Sequence, residues 1–173
     1  MIAIFDVEIC NGYLTKSPIA DELAERWYGR YHGDKLVLDL VEMAYLLSQG
    51  KLVVMIGDKD VASLEELMKM RSECFDRYFW PMLSVYKDLR DRGRRVRVLE
   101  PMKFLVKDKA GELRLVYVLE EKYSVEINSL RTIAEEARRN DLEATIAIVS
   151  LHGELTYYDL ITTDLRGDRD DGV

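Results

Sequence analysis

Cysteine, histidine and proline are scarce in this chain: 173 residues hold two cysteines, two histidines and three prolines. Cys10 and Cys74 are too few for a disulfide framework and lack metal-ligand spacing. We therefore expect a reducing compartment, the cytoplasm. His32 and His152 are the only histidines available as a base for a serine or cysteine nucleophile, and neither cysteine has a nucleophile motif around it. The sequence thus predicts neither a hydrolytic triad nor a metal or cofactor site.

Long apolar runs and glycine-rich loops are also missing. No run of about 18 apolar residues is present, so we expect no membrane span. Residues 1–6 lack a basic stretch followed by an apolar block, so no secretory signal is expected. The ten glycines are scattered singly, which argues against a phosphate-binding loop. A net charge of −7 disfavours a protein that grips nucleic acid over its whole surface, but it leaves room for a local basic patch.

The composition that remains is that of a globular protein, with 48% hydrophobic and 33% charged residues. Hydrophobic spacing predicts two small α+β units, an N-terminal one over 1–70 and a C-terminal one over 71–165, followed by an acidic tail at 166–173. Asn11-Gly12 favours a hairpin turn. The predicted helices are 19–30, 36–49, a long region from 63 to 92 that Pro81 should kink or divide, and 130–139. The predicted strands are 52–56, 103–107, 113–119, 123–127, 144–149 and 155–161, and an alternating pattern after Gly93 indicates a further half-buried strand.

A basic stretch is the most suggestive feature by charge. Arginines of this kind contact phosphates, so an RNA-facing edge is one interpretation, and a solvated helix end followed by an exposed strand face is the other. Asp88 and Asp91 partly neutralise the stretch. The candidate RNA contacts are Arg90, Arg92, Arg94, Arg95 and Arg97.

Three stretches resemble one family. Residues 38–52 read LDLVEMAYLLSQGKL, residues 85–93 read VYKDLRDRG, and the strands 144–149 and 155–158 follow in the same order. Together they resemble archaeal tRNA-splicing endonuclease subunits. The resemblance implies an α+β fold, in which a small N-terminal α/β unit precedes a C-terminal mixed-sheet nuclease-like α/β domain. It also implies that pre-tRNA is cut at bulge-helix-bulge motifs, leaving a cyclic phosphate and a 5′-hydroxyl.

Catalytic subunits of that family use a tyrosine, a histidine and a lysine, without metal, to deprotonate the 2′-hydroxyl, protonate the leaving oxygen and stabilise the charge. Lys107 stands near the tyrosine position, Leu113 or Arg114 near the histidine position, and Leu142 and Glu143 at the lysine position. His152 is the only histidine after residue 32, and no lysine follows Lys122. We therefore expect no catalytic residues and a structural, non-catalytic subunit.

The resemblance also implies an assembly surface, because family subunits pair through the last strand and insert the preceding loop into a partner. The implied interface residues are Leu151, His152, Gly153, Glu154, Leu155, Thr156, Tyr157 and Tyr158. Tyr157 and Tyr158 place one ring on each strand face, so at least one is expected at a contact. An ordinary hairpin turn is the alternative reading of residues 151–154.

The implied partner is a catalytic subunit, in a heterotetramer with two copies of each chain that acts on pre-tRNA. Two other functions stay open at this point. One is a self-sufficient endonuclease that uses unorthodox residues such as His152 with Tyr157. The other is a stand-alone RNA-binding module, which the negative net charge disfavours.

Overall fold

A computed structural model describes residues 1–161, and the predicted acidic tail lies outside them. Two mixed sheets are formed in this part of the chain, which confirms the predicted fold class. The first has the strand order β3-β4-β2-β1-β5-β6. Its elements are β1 (Ile2–Asp6), β2 (Asn11–Thr15), α1 (Pro18–Glu25), β3 (Arg30–His32), β4 (Lys35–Leu38), α2 (Leu40–Ser48), β5 (Val53–Ile56), β6 (Lys59–Val61) and α3 (Leu64–Met70).

The second sheet has the order β11-β10-β9-β8-β7. All its neighbours are antiparallel except β9 and β10, which run parallel and are joined by the crossover helix α5. Its elements are α4 (Phe79–Asp91), β7 (Arg95–Glu100), β8 (Lys103–Lys107), β9 (Leu113–Glu120), α5 (Ile127–Arg139), β10 (Glu143–Val149) and β11 (Leu155–Leu160), and a short 3₁₀ turn, Ser72–Cys74, precedes α4. Helix α5 packs on one face of this sheet and α4 on the other.

Helix α2 begins later than its apolar pattern predicts. Asp39 caps it, accepting from the Val41 backbone N–H at 2.9 Å, while Glu42 reaches back to the Asp39 N–H at 2.9 Å. This capping box separates the helix from the preceding strand β4. Glu42 is fully buried, and its carboxylate also accepts the Gly29 N–H at 3.1 Å. Burial raises the pKa of Glu42 to about 7.

The predicted hairpin turn at Asn11-Gly12 is wrong, because these residues open β2 and the turn precedes them. Gly12 is needed there for close packing: an added Cβ would lie 2.2 Å from the Met43 sulfur of α2. The predicted strand at 123–127 is also wrong, since β9 ends at Glu120 and α5 begins at Ile127.

Pro81 neither kinks nor divides helix α4. It lies in the first turn, where backbone N–H groups have no partner within the helix, so the missing donor costs nothing there. The sequence predicted one long helical region from residue 63, but α3 ends at Met70. Ser63 caps the start of α3, as predicted. Asp76 then accepts the N–H groups of Tyr78 and Phe79 at 2.9 and 3.1 Å and starts α4.

Helix α4 joins the two sheets into one packed body. A single apolar cluster runs from Ala3 in β1 to Val149 in β10. Tyr86 of α4 is completely buried. Its ring packs edge to face with that of Tyr45 of α2, with 5.7 Å between the ring centroids. The Tyr45 hydroxyl donates to Asp91 at 3.0 Å. The two units therefore share a core rather than touching through a polar surface.

Cys10 and Cys74 form a disulfide, which the sequence did not predict. Cys10 lies in the β1–β2 turn and Cys74 in the 3₁₀ turn before α4. The bond ties the N-terminal sheet to the segment that leads into the second unit. Separately, no helix within residues 1–161 is long and apolar enough to cross a membrane.

Candidate functional site

The positions that the resemblance places near the family's tyrosine, histidine and lysine lie together at one end of the second sheet. Lys107 ends β8 and pairs with Leu113, the first residue of β9. Arg114 pairs with Glu143, the first residue of β10. The fold therefore assembles these positions, although each comes from a different strand.

Their side chains form a charged network. Arg114 contacts Glu143 at 3.2 Å and Asp159 of β11 at 3.4 Å, and Thr145 donates to Asp159 at 2.7 Å. The Arg114 side chain is 17% exposed, and its Nε has no hydrogen-bond partner within residues 1–161. A guanidinium held in this way can stabilise an anionic phosphorus centre, and the two carboxylates can accept a proton.

The two carboxylates of this network, Glu143 and Asp159, line an open cleft of about 740 Å³ between the strand ends and the last turn of α5. Arg138 contributes a guanidinium to the cleft lining. Histidine is absent from the cleft lining as far as residues 1–161 show it, so a histidine-based proton transfer has no donor there. The described part of the chain also holds no cluster of three metal-ligating side chains.

A second polar cluster lies between the same sheet and α5. Tyr117 of β9 donates to Glu136 of α5 at 2.5 Å, and Lys103 of β8 donates to Glu136 and, at 2.9 Å, to Glu100. Burial and the bond to Glu136 raise the pKa of Tyr117 to about 12, and the bond from Lys103 lowers the pKa of Glu136. At neutral pH Lys103 is therefore a cation and Tyr117 a neutral phenol. The cluster anchors α5, and sequence reasoning did not find it.

Arg90, a predicted RNA contact, is buried, and this placement corrects the prediction. Four of its five N–H groups donate within the protein. The acceptors are the Tyr86 hydroxyl and the carbonyls of Arg26, Trp27 and Val96. Its guanidinium lies 3.9 Å from the Tyr28 ring centroid. Arg90 links α4 to the N-terminal unit and is not exposed to a phosphate.

The other four arginines of the basic stretch lie closer to solvent and do not form one surface. Arg92 pairs with Asp88 at 3.1 Å, and Arg94 follows the helix. Arg95 and Arg97 share one face of the edge strand β7, with Arg95 exposed and Arg97 half-buried. Arg97 lies over the Trp27 ring at 4.9 Å.

The residues of the expected interface form the β10–β11 turn and the edge strand β11. Leu151, His152, Gly153 and Glu154 are all exposed in the turn. Tyr158 is 54% exposed, whereas Tyr157 is half-buried and donates to Asp88 of α4 at 2.7 Å. The alternative pairing of His152 with Tyr157 has no hydrogen bond to support it in residues 1–161. The role of these residues as an interface stays a prediction.

Comparison with known proteins identifies the class. The tRNA intron endonuclease N-terminal domain matches residues 6–68, and the catalytic C-terminal domain of the same enzymes matches residues 79–157. The chain belongs to the tRNA intron endonuclease family.

Individual relatives give the same answer. The tRNA-splicing endonuclease of Pyrococcus horikoshii is 35% identical over 156 residues, which cover 84% of this chain and 88% of that protein. That of Thermococcus kodakarensis is 34% identical over 145 residues, covering 78% and 82%. That of Methanosarcina mazei is 27% identical over 170 residues, covering 88% of this chain but 44% of its own length.

These matches correct one expectation. The sequence predicted a chain that is not an enzyme, but residues 79–157 match the catalytic domain, and the relatives are named tRNA-splicing endonucleases. The chain therefore carries the catalytic-type domain of an endonuclease.

Proposed function

We propose that this chain takes part in intron excision from pre-tRNA as the assembling subunit of a heterotetrameric tRNA-splicing endonuclease, with two copies of each of two chains. The proposed partner is a subunit of the same family that keeps tyrosine, histidine and lysine at the three positions. Pre-tRNA is the proposed substrate of the assembly.

One observation carries the proposal. The positions that the resemblance places near the family's tyrosine, histidine and lysine lie together at the end of the second sheet. They hold Lys107, Leu113 or Arg114, and Leu142 and Glu143, so under the resemblance the family's proton-transfer groups are replaced there. A second subunit supplies those groups in our proposal.

The exposed β10–β11 turn and the edge strand β11 support assembly. The outer edge of β11 is the last in its sheet, and such an edge offers unpaired backbone groups to another chain. Leu151 at the tip of the turn is 72% exposed, so its side chain is available for contact with a partner. The Methanosarcina mazei relative is about twice the matched length, which leaves room for a second unit within one polypeptide.

A cleavage assay tests the proposal. A bulge-helix-bulge pre-tRNA is incubated with this chain, with a partner chain from the same cell that keeps the three residues, and with both. We expect cleavage to need the mixture. Cleavage by this chain alone would refute the need for a partner and would direct attention to Arg114 and its two carboxylate partners, Glu143 and Asp159.

Assembly is tested with a matched pair of variants. Leu151→Asp changes the exposed turn, and Ile127→Asp changes an 83% exposed residue at the start of α5. Native mass spectrometry of the mixture should show the heterotetramer for Ile127→Asp and its loss for Leu151→Asp. A heterotetramer that survives Leu151→Asp contradicts the proposed interface.

The cytoplasmic location of the assembly is part of the proposal.

A further inference from the structure

Two arginines from different units meet beside one pocket without an ion-pair partner. Arg30 lies on β3 of the first sheet and Arg97 on β7 of the second. The Arg30 guanidinium donates to the Val98 carbonyl at 3.1 Å, which crosses from one unit to the other. Neither arginine forms a salt bridge with any of residues 1–161. Burial and the neighbouring Arg30 charge lower the pKa of Arg97.

The pocket is small, about 170 Å³, and its outer part is cationic. Arg30 and His32 are exposed at its rim, and the guanidinium of Arg97 lies over the half-buried Trp27 ring. The Nε–H of Arg97 is buried and has no hydrogen-bond partner in the described part of the chain. Guanidinium groups bind phosphate oxygens through charge-assisted hydrogen bonds, and Arg30 presents its guanidinium at the exposed rim.

Two carboxyl groups also line the pocket, and both are already used. Glu42 is 3% exposed and accepts the N–H groups of Gly29 and Asp39. Asp39 is half-buried and accepts the Val41 N–H at 2.9 Å. Arg90 lies near Glu42 and adds a further positive charge behind it. Arg30 therefore supplies the positive charge at the exposed rim, and both carboxyl groups accept backbone N–H groups.

We propose that this pocket, lined by Arg30, His32 and Arg97 with Trp27 packed against Arg97, binds one phosphate of an RNA backbone. The inference rests on the proposed function, which brings pre-tRNA to the chain. It adds a contact site that spans both units and uses residues of the N-terminal unit.

RNA is favoured as the source of the phosphate by what surrounds the pocket. The size of the pocket suits a single phosphate rather than a nucleotide. Trp27 offers a partly exposed aromatic ring beside it, and base stacking on such rings is common in RNA binding. The chain carries a net charge of −7, so an RNA strand needs a local cationic site in order to approach.

The first experiment measures RNA affinity. Fluorescence anisotropy of a labelled bulge-helix-bulge RNA is recorded with the full chain, alone and mixed with the partner, at several salt concentrations. We expect Arg30→Gln and Arg97→Gln each to raise Kd about fivefold and to lower the salt slope by about one. Arg131→Gln, which removes a 76% exposed arginine on α5, is the control and should leave Kd unchanged. Unchanged affinity in both pocket variants, or an equal loss in the control, overturns the proposal.

Two further measurements separate the remaining outcomes. Because Arg97 is half-buried, Arg97→Lys checks folding: it keeps the charge and should recover part of the affinity, whereas a misfolded variant would not. Calorimetry with inorganic phosphate asks whether a free anion is the ligand. Tight phosphate binding with RNA affinity unchanged in the variants would overturn the RNA assignment.

The pocket and the proposed function fail in different ways. If the mixture cleaves pre-tRNA and the pocket variants keep the same KM, the pocket proposal is wrong and the function stands. If the mixture does not cleave, but the variants weaken RNA binding as expected, the function is wrong and the pocket stands.

Discussion

Replacing Arg90 with methionine should destabilise the protein strongly. The change removes four hydrogen bonds, leaves the carbonyls of Arg26, Trp27 and Val96 without their donor, and takes a positive charge away from buried Glu42. Breaking a buried charged contact of this kind costs about 3–5 kcal/mol. That is a large share of the 5–15 kcal/mol by which proteins are usually stable.

The assay is urea unfolding followed by circular dichroism. A loss of about 4 kcal/mol should lower the unfolding midpoint by about 2 M, for a typical slope near 2 kcal/mol/M. Arg92→Met is the matched control, because it removes an arginine two positions away whose exposed pair with Asp88 is worth less than about 0.5 kcal/mol.

Equal midpoints for the two variants would refute the reasoning, since Arg90 would then not hold the units together. A stable Arg90→Met protein with weakened RNA binding would restore the earlier interpretation of Arg90 as an RNA contact. Measuring the urea midpoint and the RNA affinity of both variants distinguishes these two outcomes.

Three further predictions follow from buried groups. Reducing the Cys10–Cys74 bond, which closes a separation of 64 residues, should lower the free energy of unfolding by about 4 kcal/mol. In the same urea assay, Cys74→Ser should have the lower stability from the start, and the reductant should not change it. An unchanged midpoint on reduction of the native protein would show that the bond is not formed. The pKa of Glu42 is raised from 4.5 to about 7, so between these pH values the folded protein holds a proton that the unfolded chain has lost. The free energy of unfolding should therefore fall as the pH rises from about 4.5 to 7. Glu42→Gln should remove this pH dependence when unfolding is compared at pH 5 and 8. Glu136→Gln should lower the thermal midpoint by the equivalent of about 1–2 kcal/mol, because it leaves the buried Lys103 cation with one carboxylate. Glu135→Gln, which removes a carboxylate paired with exposed Arg131, is the control. If the two variants shift the midpoint equally, Glu136 does not stabilise the protein through Lys103.

Elements with a strong local signal were predicted well from the sequence. Strand β8 was predicted at its observed bounds, and β9 and β10 to within one residue, because apolar alternation or a buried run ends at clear turns there. Ser63 was predicted as a helix start, and its hydroxyl accepts the Glu66 N–H at 3.2 Å.

Errors occurred where tertiary contacts override the local pattern. Gly12 favours a turn by itself, but in the fold it makes space for Met43. One helix was predicted over residues 36–49, yet the capping box of Asp39 and Glu42 divides this stretch into the end of a strand and a helix. The Cys10–Cys74 bond depends on a spatial proximity that spacing along the chain does not reveal.

The candidate sites were predicted only in part. The resemblance predicted approximate positions for the family's three residues, at 107, 113–114 and 142–143, and the fold brings this part of the three strands together. The partners of Arg114 could not be predicted, because Asp159 comes from a strand 45 residues away. Lys103 carried a weak signal, as a charged residue at the start of an apolar strand. The convergence of Arg30 and Arg97 depends on how the two sheets meet, which periodicity does not describe.

The continuous apolar cluster also limits how this chain could be divided or recombined. The two family domains match separate stretches, 6–68 and 79–157, which invites their exchange between relatives as independent modules. Tyr86 and Arg90, however, lie in the second stretch and are buried against the first. In a chimera, Tyr86 and Arg90 would pack against an N-terminal unit whose surface differs from the one that they contact here. Successful chimeras should therefore carry α2 and α4 from the same parent.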